Sequence, residues 1–308
     1  MTRPCLIDCD PGTDDAIALW LALASPELDI RLITVAGGNV GLAETTANAR
    51  AVLALSGRDI PVVAGAERSL LAPFRAETAV HGQDGLGGVQ LPPGRPLTPG
   101  IAADAIRDLL RAAPPASVTV IGLGPATNLA LAFATEPALA DRVAEIVLMT
   151  GAWGEGNITP AAEFNAWNDP EALAMLALLG RPLTLATLDL TAQAFVTPAL
   201  VAALGAQPGG ACWRAALAIL GALPPSRRMG FAGYPLHDPC AVAWLVAPGL
   251  FTRREVHLAV DCAQGPDRGR TVIDRWGRLG LPANAAVLET LQAPGFFDLL
   301  ATRIGRLA

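Results

Sequence analysis

The chain has 308 residues, of which 52% are apolar, 16% charged and 5% aromatic, a composition that buries a large core and excludes a disordered chain. Its 22 positive residues, all arginine, stand against 28 acidic ones, for a formal net charge of -6. Having no lysine excludes a Schiff-base lysine and a Walker-type phosphate loop, and an acidic total with no basic run argues against a nucleic-acid partner.

The start MTRPCLIDCDPG reaches aspartate after a very short apolar run, unlike a secretory leader. The apolar stretch from Ala16 to Ala24 is far short of the ~20 residues that span a bilayer. We therefore expect a cytoplasmic protein with no membrane partner. Nothing reads as a repeat or linker, so residues 1–308 are expected to form a single domain. Cys5, Cys9, Cys212, Cys240 and Cys262 are an odd and scattered set, which speaks against a disulfide framework. Three histidines and isolated thiols offer too few ligands for a zinc site, so any metal must rest on oxygen.

In chain order, strands are predicted at Cys5–Ile7, Ile30–Val35, Ile60–Val63, Ser117–Ile121, Glu145–Met149 and Leu183–Leu188. Helices are predicted at Asp14–Ala24, Ala43–Leu55, Ile101–Arg111, Ala126–Ala134 and Pro170–Leu179. Strands alternating with helices predict an α/β fold, an open and mainly parallel sheet flanked by helices. The active site of such a fold belongs at the carboxyl ends of the strands. Residues 65–99 and 221–237, rich in glycine and proline, interrupt the rhythm as lids, binding loops or plain surface excursions do.

LIDCDPGTDD puts Asp8, Asp10, Asp14 and Asp15 at the first strand-to-helix junction, with no arginine between Arg3 and Arg31. A helix cap explains one or two of these carboxylates. Four so close repel unless protonated or bound to a cation, and a hard cation such as calcium or magnesium is the simplest remedy. Asp238, in YPLHDPCAVAW, is either a helix cap or a fifth carboxylate returning to the same ion. We expect all five to share one divalent ion. Asn39, Thr127, Asn128, Asn157, Glu163 and Asn165 follow predicted strands, where the crevice should lie, and His81 and His237 fall in the irregular segments. His257, in REVHLAV, reads as structural.

The motifs LIDCDPGTDD, AGGN, HGQDGLGG, GPATN, GNITPAAEFNAWNDPEA and PLHDPCAVAWL together resemble the nucleoside hydrolase family of the inosine-uridine preferring type. HGQDGLGG and GFAGYPLHDPC look most like its pyrimidine-preferring ribonucleoside hydrolases. The resemblance implies calcium-dependent hydrolysis of the N-glycosidic bond of a ribonucleoside, uridine or cytidine, to base and ribose, by a homotetramer or dimer. It implies a Ca2+ held by Asp10, Asp15, the Thr127 carbonyl and Asp238, with Asp10 taking the proton of the attacking water. Asp14, Asn39, Asn157, Glu163 and Asn165 match ribose-gripping positions. His81 and His237 match residues facing the base, with His237 assisting its departure.

Phe231 and Tyr234 suit either a wall for the base or lid packing. Thr150, Trp167 and Asn168 depart from the family's usual pattern beside the ribose motif, where they could reshape the base pocket. Two alternatives remain at this level. One is a haloacid dehalogenase-like phosphatase, although Gly12 stands where D-x-D-x-T requires threonine. The other is a non-catalytic calcium- or sugar-binding relative.

Overall fold

The computed structural model describes residues 2–224 and 233–307. A nine-stranded sheet forms its centre. In chain order its strands are β1 (Arg3–Cys9), β2 (Leu28–Val35), β3 (Val62–Ala64), β4 (Val118–Gly122), β5 (Val143–Met149) and β6 (Leu183–Ala186). A two-stranded ribbon pairs β7 (Phe195–Val196) with β8 (Tyr234–Pro235), and β9 (Phe251–Val260), β10 (Thr271–Asp274) and β11 (Ala285–Leu291) complete the main sheet.

The helices that matter to the site are α1 (Thr13–Leu23), α2 (Leu42–Ser56), α3 (Thr78–His81), α4 (Ala102–Ala112), α5 (Thr127–Thr135), α6 (Phe164–Asn168), α7 (Pro170–Ala177) and α8 (Leu188–Thr191). Beyond them lie α9 (Pro198–Gly205), α10 (Ala211–Ala222), α11 (Pro239–Val246) and α12 (Ala293–Ile304).

The order β10-β9-β11-β6-β5-β4-β1-β2-β3 is parallel from β11 to β3, while β9 and β10 pair antiparallel at one edge. Alternating side chains feed two cores, because successive residues of a strand point to opposite faces. Ile7, Ile33, Val147 and Met149 pack with α1, α2, α10, α11 and α12, whereas Leu6, Leu32, Ile146 and Leu148 pack with α4, α5 and α7. Covering both faces is what a parallel sheet requires.

Between β1 and β4 the strand order reverses. There the chain after β1 turns to one side and the chain after β4 to the other, and the gap between them is where ligands bind in such sheets. The last predicted strand was drawn too long: β6 ends at Ala186, and Leu188 already belongs to α8. Among the described residues, no helix is long and apolar enough to cross a membrane.

Candidate active site

Pro11 and Gly12 turn the chain out of β1, and α1 begins at Thr13. Asp10 is thereby left at the carboxyl end of the sheet, and Asp14 and Asp15 occupy the first turn of α1. Asp238 arrives from the other end of the sequence, immediately ahead of α11. Ligand atoms of Asp14, Asp15 and Asp238 lie within 4.8 Å of one another. Beneath them Asp10 is fully buried, its Oδ2 accepting the Asn39 N–H at 2.8 Å. Asp15 Oδ2 accepts from Gly12 N and Asn39 Nδ2, both at 2.9 Å.

The other carboxylate oxygens, Asp10 Oδ1 and Asp15 Oδ1, are buried without a hydrogen-bond partner. Such orphaned acceptors are costly unless something positive meets them. Burial, followed by repulsion from Asp14, pushes Asp15 up to about 7. Burial and the neighbouring carboxylates push Asp10 and Asp238 well above the usual carboxylate range. Asp15 and Asp238 can share one proton, but when both ionise they repel. With oxygen as the only donor type, the site suits a hard cation.

Asp8 does not join this group. Its Oδ1 accepts from Thr34 Oγ1 at 2.6 Å and from Asn128 Nδ2 at 2.9 Å, so of the five carboxylates expected to share one ion Asp8 is set apart. Burial outweighs these bonds and raises Asp8 to about 7. Asn128 in turn accepts the Ala66 N–H, so this pair braces β1, β2 and the loop after β3.

Above the carboxylates opens a cavity of about 740 Å³, lined by Asp14, Asn39, His81, Asn157, Glu163, Asn165, His237 and Asp238. Glu163 caps α6 and accepts from four donors: Asn165 N, Ala166 N, Gly151 N and Thr150 Oγ1. Burial still raises its pKa. Asn165 Nδ2 reaches the carbonyls of Leu123 (2.8 Å) and Met149 (3.0 Å), tying the ends of β4 and β5 together. Asn157 accepts the Phe164 N–H at 2.8 Å.

At the opposite wall His81 Nδ1 faces Thr13, and His237 Nδ1 lies 2.7 Å from Thr191 Oγ1. Burial holds both imidazoles below their usual pKa. The Tyr234 ring meets His237 edge-on at 5.7 Å and lines the cavity. Phe231 lies outside the described residues.

Thr127 stands apart from the cavity. Its hydroxyl donates to Asp169 at 2.6 Å, and its carbonyl belongs to the first turn of α5, where the helix ladder takes it up. Leu123 lines the cavity instead, and a Cβ on its neighbour Gly124 would stand 2.5 Å from Asp10 Oδ1. Leu123 was missed in the sequence because an apolar residue at a strand end carries no signature of a site. Also missed were Glu77, Val80, Ile158, Leu188 and Asp189, which line it too. Asp189 holds the Trp153 N–H at 2.8 Å.

Trp167 and Asn168 do not line the cavity. Trp167 lies under the Arg75 guanidinium, and Asn168 Oδ1 accepts the Arg75 N–H. Thr150 acts only through Glu163. His257 sits on β9, with Nδ1 2.8 Å from the Pro282 carbonyl.

Carboxylates and amides converge here on a pocket at a sheet switch point, flanked by two neutral imidazoles. That is the constellation of a hydrolase that stabilises a cationic sugar, as glycosidic cleavage demands. The sequence pattern described as inosine-uridine preferring nucleoside hydrolase matches residues 5–298. The pyrimidine-specific ribonucleoside hydrolase RihA of Shewanella woodyi is 42% identical over 304 residues, 98% of this chain and 97% of that protein. The plant nucleoside hydrolase PpNRh1 superposes with a TM-score of 0.91 at 30% identity, covering 99% of each chain. A purine-preferring ribonucleoside hydrolase from Gardnerella vaginalis superposes at 0.88 and 29% identity, covering 98% of each. The chain belongs to the nucleoside hydrolase family. It is an enzyme that hydrolyses the N-glycosidic bond of ribonucleosides, and the phosphatase alternative falls away.

Proposed function

We propose that this nucleoside hydrolase is calcium-dependent, acts on pyrimidine ribonucleosides, and works as a cytoplasmic homo-oligomer, a dimer or tetramer. The observation that carries the metal reading is the pair of buried, unpartnered oxygens Asp10 Oδ1 and Asp15 Oδ1. Asp10, Asp15 and Asp238 would hold the ion, with the Leu123 carbonyl in place of that of Thr127 as the backbone ligand. When bound, calcium supplies a hard positive centre that orients a water and the ribose hydroxyls and lowers the pKa of that water.

The protein's own residues do the rest. Asp10 takes the proton of the attacking water. Asp14, Asn39, Asn157, Glu163 and Asn165 grip the ribose. Their oxygens flank the sugar as positive charge builds on it in the oxocarbenium-like transition state. His237 assists departure of the base. Val80, Ile158 and Tyr234 line the same cavity and give the flat ring an apolar wall.

Pyrimidine preference is supported by the 42% identity to the Shewanella woodyi protein. A panel of uridine, cytidine, inosine and adenosine, assayed for ribose release with and without chelator, tests the whole reading. Uridine and cytidine should be cleaved fastest, chelation should abolish release, and calcium should restore it. Faster purine cleavage would overturn the base preference, and full activity after chelation would overturn the metal.

A further inference from the structure

The first four N–H groups of a helix have no partner within it, so α1 must find acceptors elsewhere. Gly12 N–H is taken by Asp15 Oδ2. Thr13 N–H goes to His81 Nδ1 at 3.2 Å, and the Thr13 hydroxyl lies 2.9 Å from the same nitrogen. Only the absence of a side chain at Gly12 permits this approach, since a Cβ there would stand 2.6 Å from His81 Nδ1.

A backbone N–H can donate but never accept. His81 Nδ1 must therefore offer its lone pair, and a neutral ring in that state carries its hydrogen on Nε2. A second proton on Nδ1 would break the bond to Thr13, and it would face the positive end of the α1 dipole. With the Nδ1 edge turned into α1, the ring lines the cavity. His237 is held differently. Its Nδ1 meets the Thr191 hydroxyl, which can donate or accept, so this contact does not fix its tautomer.

We propose that Thr13 is a positioning residue that locks His81 as the neutral Nε2–H tautomer, so that His81 offers the nucleobase a fixed hydrogen-bond donor and exchanges no proton. Of the two histidines, acid-base work at the base then falls to His237. The partner of His81 is an acceptor on the base edge, a carbonyl oxygen in the case of a pyrimidine. The assignment rests on the nucleoside hydrolase reading of the cavity for its ligand, but not for the tautomer itself.

Nitrogen-15 labelling of the three histidines in the calcium-loaded full chain tests it, with His81→Gln and His257→Gln assigning the signals in long-range proton–nitrogen spectra. The expected result is a pyridine-type Nδ1 and a pyrrole-type Nε2 for His81, unchanged with pH while the protein stays folded. Thr13→Val keeps the backbone bond and should keep this pattern. Thr13→Pro removes both donors at a helix position that accepts proline, and should give averaged shifts together with a loss of about tenfold in kcat/KM for uridine. In a His81→Phe background Thr13→Pro should cost nothing further.

A pyrrole-type Nδ1, or averaged or titrating shifts in the unsubstituted protein, would overturn the proposal, as would an equal loss from Thr13→Pro with and without His81. If no nucleoside is cleaved, the kinetic arm fails with the functional reading while the spectra still decide the tautomer.

Discussion

Gly124 and Asp10 touch across the switch point of the sheet: a Cβ on Gly124 would stand 2.5 Å from Asp10 Oδ1, and one on Gly38 would overlap Asp10 Oδ2. Glycine at both positions clamps the carboxylate between the turns after β4 and β2. Gly124→Ala and Gly38→Ala should each displace Asp10 and lower kcat by about 10²-fold, the scale of a 1 Å misplacement of a reacting group. Far-ultraviolet circular dichroism should remain that of the parent. An alanine variant with the parent's rate would show that the position of Asp10 does not matter to turnover.

Asp10→Asn separates chemistry from stability. Asparagine cannot accept the proton that the proposed role of Asp10 requires, so kcat should fall by about 10²–10⁴-fold. The same change removes one of the buried carboxylates that repel one another, so in chelator the variant should melt at a higher temperature than the parent. Activity assays paired with thermal melts check both halves, and a variant that is inactive and also less stable without metal would contradict the repulsion.

Much of this site was legible because its parts lie in short segments: the strand-loop-helix run after β1 announces Asp10, Asp14 and Asp15 together, and the strand ends announce the amides. Asp8 misled because alternation puts it on the same side as Asp10, while β1 stops at Cys9 and Thr34 and Asn128 capture Asp8 beside the site. The strands β10 and β11 went unread, and of β9 only the strand-like run around His257 was visible. FTRREVHLAV carries several charges, and its pairing with β10 on one side and β11 on the other makes it a strand. His81 and His237 were visible as residues, but the threonines that orient them are contacts across the fold.

The buried carboxylates predict how metal and pH act on stability. Asp8 and Asp15 have folded-state pKa values of about 7 against 3.8 in an open chain. Between those values the folded state holds more protons than the unfolded one, so their contribution to stability falls as pH rises through that window. Melts in chelator should therefore lose stability from pH 3.8 to about 7 through these groups. A calcium ion held as proposed would bind the ionised carboxylates, so the rise in Tm it produces should grow with pH. Asp8→Asn should flatten part of the chelated slope and leave the calcium increment in place. A calcium increment independent of pH would rule out the carboxylate site.

Glu163 is the most heavily subscribed acceptor in the cavity lining. Oε1 takes Asn165 N–H at 2.9 Å, while Oε2 takes Gly151 N–H, Ala166 N–H and the Thr150 hydroxyl at 2.9–3.1 Å. Glutamine presents only one acceptor oxygen. Whichever way its amide turns, an NH2 group faces a backbone N–H, and a buried donor goes unmet at a cost of about 1–3 kcal/mol. Glu163→Gln should therefore lower stability in chemical denaturation by that amount and raise KM for the ribonucleoside, because the loop from Gly151 to Asn165 loses its central pin. Thr150→Val removes one donor and leaves the carboxylate matched to the backbone. Its cost should be about 1 kcal/mol, with KM nearly unchanged. If the two substitutions cost the same, the backbone bonds to Glu163 are not what holds the ribose loop in place.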